Sequence, residues 1–181
     1  GVRKGRSLRR SRGCGAGHLH HRFNGEPQTR AALPPQHHVP EPLPRFGVRL
    51  RRGTRLLVNL PPSHVGGQAE ALLTTLFCGG TAIVLEVFDP VRSLQAIQQH
   101  RVNIIGQIPA MFNYQWRTAG YDSYDLSSLE LAIYGGQQVP RQFLEKLSAM
   151  APRIATGLGL TESAGFCTYT PPGASVEDLL S

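Results

Sequence analysis

The sequence predicts an α/β fold in which a mainly parallel sheet is covered by helices. Three observations predict it. From residue 53 onward, short apolar runs alternate with stretches whose apolar residues repeat at the helical period. Nearly every apolar run is stopped by a Pro or Gly pair. The helical stretches are long enough to serve as crossovers, and strands joined by such crossovers run parallel. The 52 residues before this region share none of these features.

The first strand is predicted at Arg55–Leu60, an apolar run closed by Pro61-Pro62. Val65, Ala69, Leu72, Leu73, Leu76 and Phe77 then recur on one helical face, which is expected to point inward and to end at Cys78-Gly79-Gly80. Thr81–Glu86 is the second strand. Asp89 and Pro90 supply an N-cap and a first-turn proline for a helix through His100, with Val91, Leu94 and Ile97 inward. Val102–Ile108 is the third strand, and Pro109 opens a helix to about Thr118. Residues 120–128 read as a polar loop, with Asp122 and Asp125 on a solvated surface. Leu129–Tyr134 is the fourth strand, ended by Gly135-Gly136. Val139–Met150 is a helix carrying Phe143, Leu144, Leu147 and Met150 on one side. Arg153–Thr156 is the fifth strand and leads into a Gly-rich turn.

Charge divides the chain at the same place. Residues 1–52 hold 12 Lys/Arg against 2 Asp/Glu, whereas residues 53–181 hold 7 against 10, so the net charge of +7 belongs to the head. Five of the seven His and six of the fourteen Pro also lie in the head. Residues 1–52 are therefore expected to be a disordered basic segment, and 53–181 a partial domain. Three scattered cysteines form neither a disulfide framework nor a zinc site, which suits an intracellular, reducing compartment, cytoplasmic or organellar. No apolar run is long enough to span a membrane. An Arg-rich, acid-poor head permits a transit-peptide reading, against which its Pro and His clusters break any amphipathic helix.

In a parallel sheet the ligand sits beyond the carboxyl ends of the strands, so chemistry is expected in the turns that follow them. In Gly157-Leu-Gly-Leu-Thr-Glu-Ser163, Gly157 and Gly159 let backbone approach a phosphate, the Thr161 hydroxyl can donate to its oxygen, and Glu162 can hold Mg²⁺. The same turn is also explained by Thr161 capping a helix. At Tyr134-Gly135-Gly136-Gln137-Gln138 a flat ring could lie on bare backbone; a tight left-handed turn explains these glycines equally. His64, in Pro61-Pro-Ser-His-Val-Gly-Gly67, stands just beyond a strand end, where it is either a site residue or a helix-start and packing residue.

The order and spacing of these turns carry more than any one of them. P-x-x-H-x-x-G, then Y-G-G about 70 residues on, then G-x-G-L-T-E about 20 residues later, resembles the AMP-forming adenylating superfamily of acyl-CoA synthetases, luciferases and peptide-synthetase adenylation domains. Phe77-Cys-Gly-Gly-Thr81, Phe88-Asp-Pro90, Gln107-Ile-Pro-Ala-Met111 and Asp125-Leu-Ser-Ser-Leu129 resemble further family segments. The likeness runs from about Gly53 to Tyr169 and implies a central fragment of the large N-terminal domain. It implies an ATP-dependent ligase that activates a carboxylate as acyl-AMP and passes the acyl group to a thiol, usually coenzyme A. It also implies that Gly135, Gly136 and Gln137 border the adenine, that Thr161 touches the α-phosphate, that Glu162 binds Mg²⁺ and that His64 lines the acyl pocket near the carboxylate. Ser163-Ala-Gly165 and the Pro61-Pro-Ser-His64 form lean toward fatty-acyl and related carboxylates.

Members of that family also carry a loop of form T-[ST]-G-[ST]-T-G-x-P-K for the β- and γ-phosphates, some 30 to 40 residues before the histidine, and later a ribose-binding Asp and a C-terminal domain with a catalytic Lys. Neither of the later parts falls within this sequence, so the chain as written is expected to be inactive. Where the loop belongs, the chain reads His20-His-Arg-Phe-Asn-Gly-Glu-Pro-Gln-Thr-Arg30. Back-translated and read one nucleotide later, these codons permit T-T-G-S-T-G-N-P-K-P. Pro35–Glu41 in the same shifted frame permits His-Asn-Ile-Thr-Cys-Gln-Asn, and the family often has a His-Asn pair there. Residues to about Arg52 are accordingly read as out of frame relative to the ligase.

Two other readings compete. Arg3, Arg6, Arg9, Arg10 and Arg12 could neutralise nucleic-acid phosphates, although only Phe23 and Phe46 are available in the head for base stacking. His18, His20, His21, His37 and His38 could be taken as a metal site, but no Cys or acidic spacing supports it.

Overall fold

The computed structural model describes residues 50–180. The expectation of a disordered head falls, for residues 1–49, outside the described residues. Five parallel strands form the sheet: β1 (Arg55–Val58), β2 (Thr81–Val84), β3 (Ile104–Gln107), β4 (Leu131–Tyr134) and β5 (Ile154–Thr156), in the order β2-β1-β3-β4-β5. Their connections hold helix α1 (Gly66–Leu73, continued by Thr74–Phe77), α2 (Pro90–His100), α3 (Pro109–Trp116) and α4 (Arg141–Met150). A hairpin of β6 (Gly159–Leu160) and β7 (Gly165–Phe166) and a short helix α5 (Val176–Leu180) follow. Each main strand is shorter than its apolar run, because the flanking residues leave the ladder to enter turns.

The strand order reverses direction after β2. A right-handed crossover from β1 to β2 puts α1 on one face, and right-handed crossovers running the other way put α2, α3 and α4 on the opposite face. The buried side chains agree with this. Leu57, Ile105, Ala132 and Tyr134 point to a core shared with Ile97, Phe112, Leu144 and Leu147. Leu56, Val58, Ile104, Leu131 and Ala155 point to a smaller core closed by Ala71, Leu72 and Tyr169. The period of two along each strand divides the two sets. The reversal creates a crevice between the carboxyl ends of β1 and β3, the place where open α/β sheets bind ligands.

Local signals act as expected in most elements. Asp89 caps α2, its Oδ1 accepting the Arg92 N–H at 2.7 Å, and Pro90 takes the first turn. Phe143, Leu144, Leu147 and Met150 are the buried face of α4. Ser175 and Asp178 form a reciprocal cap at the start of α5, a helix the sequence reading omits although Ser-x-x-Asp marks it.

Two expectations are corrected. Leu73, Leu76 and Phe77, assigned to the inward face of α1, are exposed, Phe77 by 72%. The reason is that Gly66–Leu73 is wound as a π-helix. Its wider turn rotates the later residues away from the stripe a 3.6-residue period would give. Thr75 takes the inward place instead, its hydroxyl bonded to the Ala71 carbonyl at 2.6 Å. Val91, assigned inward on α2, is also exposed, while Leu94 and Ile97 are buried. The loop at 120–128 is solvated as expected, with Asp122 and Asp125 both exposed, and Asp125 also binds Arg101 at 2.6 Å and accepts the Ser127 N–H at 3.0 Å. Among the described residues, no helix is long and apolar enough to cross a membrane.

Candidate active site

The loops that leave β1, β3 and β4 converge, together with the β6–β7 hairpin, on one cavity of about 400 Å³. Its floor is apolar, from Leu56, Ile133 and Ala71, and its rim is polar. Of the residues singled out from sequence, His64, Gly135, Gly136, Gly159, Thr161 and Glu162 line it. Gln137 and Gly157 are not part of its wall. Gln137 is exposed beyond Gly136, and Gly157 is packed beneath the segment that returns after β7.

His64 starts α1. Its Nδ1 accepts the Gly66 N–H at 3.0 Å, which leaves the proton of the neutral ring on Nε2 and makes that nitrogen a donor. Both roles offered for this residue, helix start and site residue, are thus compatible. Gly67 is required because a β-carbon there would stand 2.3 Å from the Pro61 carbonyl oxygen. The pair Gly66-Gly67 lets the first turn of α1 rest directly on the strand-end loop.

The two glycines after β4 differ in purpose. Gly135 faces Phe166, whose ring would meet an added β-carbon at 2.6 Å, and Gly136 has a φ of +93°. The ring laid on this backbone from within the chain is therefore Phe166. After β5 the chain does not enter a helix, so Thr161 is no helix cap. Thr161–Ala164 is instead the tip of the β6–β7 hairpin, with the Ser163 hydroxyl bonded to Leu160 and Gly165. This tip holds the Thr161 and Glu162 side chains exposed at the cavity rim.

Sequence reasoning missed Glu70. It lies on α1, half-buried in the cavity wall, and accepts the Phe166 N–H from β7. Burial raises its pKa, opposed by that hydrogen bond and by the nearby His64. Burial likewise raises the pKa of Tyr169, helped by the Glu70 charge, so its phenol stays protonated. A signal for Glu70 was available: it is the only charged residue between Arg55 and Glu86. A buried amide relay lies beneath the cavity. Asn59 Nδ2 donates to Gln107 Oε1 at 2.7 Å, and Gln107 Nε2 donates to Gln115 Oε1 at 2.6 Å.

The glycine-bounded wall and the hairpin tip suit a nucleotide: bare backbone beside a hydroxyl and a carboxylate. Among the described residues no group of three or more His, Cys, Asp or Glu is assembled as a metal cage. The exposed Glu162 carboxylate at the cavity rim is a donor of the kind Mg²⁺ takes beside substrate phosphates.

The family model for AMP-binding enzymes matches residues 39–179. The chain belongs to that family. It is 34% identical over 115 residues to the feruloyl-CoA synthase of an Amycolatopsis species, which covers 61% of this chain and 22% of that protein. It is 28% identical over 118 residues to the indoleacetate–CoA ligase of Aromatoleum aromaticum, covering 65% of this chain and 23% of that one. The solved N-terminal domain of FACL13 from Mycobacterium tuberculosis matches with a TM-score of 0.65 and 28% identity, over 74% of this chain and 33% of the other. The five-stranded parallel sheet is thus part of the N-terminal domain fold of adenylating enzymes, and the chain spans less than a quarter of the length of these curated relatives.

Proposed function

We propose that the chain is a central piece of an ATP-dependent ligase that joins a carboxylate to coenzyme A through an acyl-AMP. The observation that carries this reading is the convergence of His64, Gly135, Thr161 and Glu162, from three separate loops, on one cavity at the strand-order reversal. Gly135 and Gly136 would border the adenine, with Gly159 keeping backbone close to the phosphates, whereas Gln137 and Gly157 stand outside the cavity wall. The Thr161 hydroxyl would donate to the α-phosphate, and Glu162 would hold Mg²⁺. The metal's share is to neutralise developing phosphate charge. The Nε2–H of His64 would orient the carboxylate. The substrate we favour is a fatty-acyl or related acid.

Residues 1–52 we read as an out-of-frame head, and 53–181 as a partial adenylation domain in a soluble ligase of the cell interior. As written, the chain carries no phosphate-loop Lys, and ATP–pyrophosphate exchange is expected to be absent. Sequencing of genomic DNA and transcript across the codons for Gly17 to Arg55 tests the frame. A gained or lost base that restores T-T-G-S-T-G-N-P-K upstream supports it; an intact frame removes it. Exchange assays on the frame-restored, full-length product with a panel of carboxylates test the chemistry. Carboxylate-dependent exchange is expected, and its absence with every acid would overturn the ligase reading.

A further inference from the structure

Glu70 is out of place in a cavity meant for anions. A carboxylate substrate and a phosphate are both negative, yet among the described residues the cavity wall holds two carboxylates, Glu70 and Glu162, and neither Lys nor Arg. Glu162 sits at the exposed hairpin tip, where a metal ion can offset it. Glu70 sits deeper, against the apolar floor of Leu56, Ala71 and Ile133, on the same helix as His64. Its Oε1 is occupied by the Phe166 N–H, and Oε2 accepts no hydrogen bond from a described residue. Oε2 is open to the cavity and to solvent, so a ligand that fills the cavity strips it of solvent and costs free energy unless that ligand brings a donor. Retaining the acid there is explained if the ligand supplies that donor.

We propose that Glu70 selects the acid: the substrate is a compact carboxylic acid that carries a hydroxyl or ammonium donor beyond its carboxylate, and Glu70 Oε2 receives that donor. The proposal rests on the ligase reading of the cavity. The spacing follows from the geometry at Gly66. A β-carbon placed there would lie 3.2 Å from His64 Nδ1 and 3.4 Å from Glu70 Oε2. His64 and Glu70 therefore both face Gly66 from the same stretch of α1, and a compact acid in the cavity can reach both side chains. Phe166 and Tyr169, their ring centroids 4.7 Å apart, flank Glu70 and offer flat apolar surface to the body of such an acid. A plain hydrocarbon acid would fill the same space and leave Oε2 desolvated.

Phenylacetate and its para-hydroxy and para-aminomethyl derivatives are suitable probes. Their binding to the full 181-residue chain would be read by ligand-observed NMR, with adenosine monophosphate as a separate probe of the cavity. The donor-bearing acids are expected to bind about ten-fold tighter than phenylacetate, the size of a hydrogen bond to a charged group. Glu70→Gln keeps an acceptor for the Phe166 N–H and removes the charge. In that variant the ammonium's advantage is expected to vanish and the hydroxyl's to shrink. Glu70→Leu should reverse the order in favour of phenylacetate; if it does not fold, Glu70→Gln decides alone. Equal binding of the three acids in the parent chain, or an unchanged preference in Glu70→Gln, would overturn the role of Glu70 while leaving the site reading intact. Binding of neither the acids nor adenosine monophosphate would instead remove the ligase reading of the cavity, and this proposal with it.

Discussion

Glu70 and Gln107 show what single side chains contribute around the cavity. The pKa of Glu70 is raised above its usual 4.5 because burial disfavours the charged form. The folded state therefore binds its proton more tightly than the unfolded state does. Stability from this group is present at low pH and declines as pH rises from 4.5 through the raised value. Glu70→Gln is expected to flatten that part of the stability profile and to melt no lower than the parent at neutral pH, which thermal melts at several pH values would show. A variant that melts lower at neutral pH would mean that the charge on Phe166 N–H outweighs its desolvation. Gln107 lies between Asn59 and Gln115, all three buried. Gln107→Leu would cut both bonds and leave Asn59 Nδ2 and Gln115 Oε1 without partners. A loss of about 1–3 kcal/mol for each orphaned group is expected in chemical denaturation.

At the level of elements, the site depends on backbone passing close to backbone. Gly67 holds the first turn of α1 on the Pro61 carbonyl, and Gly157 lets the chain after β5 pass under Thr168, whose carbonyl oxygen an added β-carbon would meet at 2.1 Å. Neither contact can relax by moving a flexible side chain. Gly67→Ala and Gly157→Ala are therefore each expected to cost about 1–3 kcal/mol or more. Gly106→Ala is the control: its β-carbon would find only the Ile133 β-carbon, at 3.9 Å. Denaturation midpoints should fall for the first two and hold for the third. The π-wound start of α1 belongs to the same device. It seats Gly66 and Gly67 on the strand-end loop and turns Glu70, rather than an apolar residue, into the cavity wall.

On the scale of the whole molecule, β2 is an edge of the five-stranded sheet, and exposed apolar side chains surround it. Val84 is 54% exposed, and Leu76, Phe77 and Val87 are exposed as well. Among the described residues no strand pairs with this edge, and a parallel edge beside apolar surface is a template for association. The chain is expected to self-associate with rising concentration, and Phe77→Ser with Val87→Lys to shift it toward monomer in light scattering. Concentration-independent monomer for the parent chain would refute this.

Much of this architecture was legible in the sequence because its causes are local. Apolar runs, proline and glycine stops, and the Asp89-Pro90 cap act through neighbours a few residues apart, so the strands and helices of the sheet could be placed in order. The series His64, Gly135-Gly136 and Thr161-Glu162 was legible as a resemblance, since spacing along a chain survives without knowledge of contacts. What only the tertiary structure decided were pairings across long separations. Glu70 meets Phe166 from 96 residues away, and Asn59 meets Gln107 from 48. The ring on the Gly135 backbone proved to be Phe166. The outward turn of Leu73, Leu76 and Phe77 depended on a π winding that no 3.6-residue period can signal. Periodicity records which face of an element is apolar; which distant group fills the space opposite is set by how the elements pack.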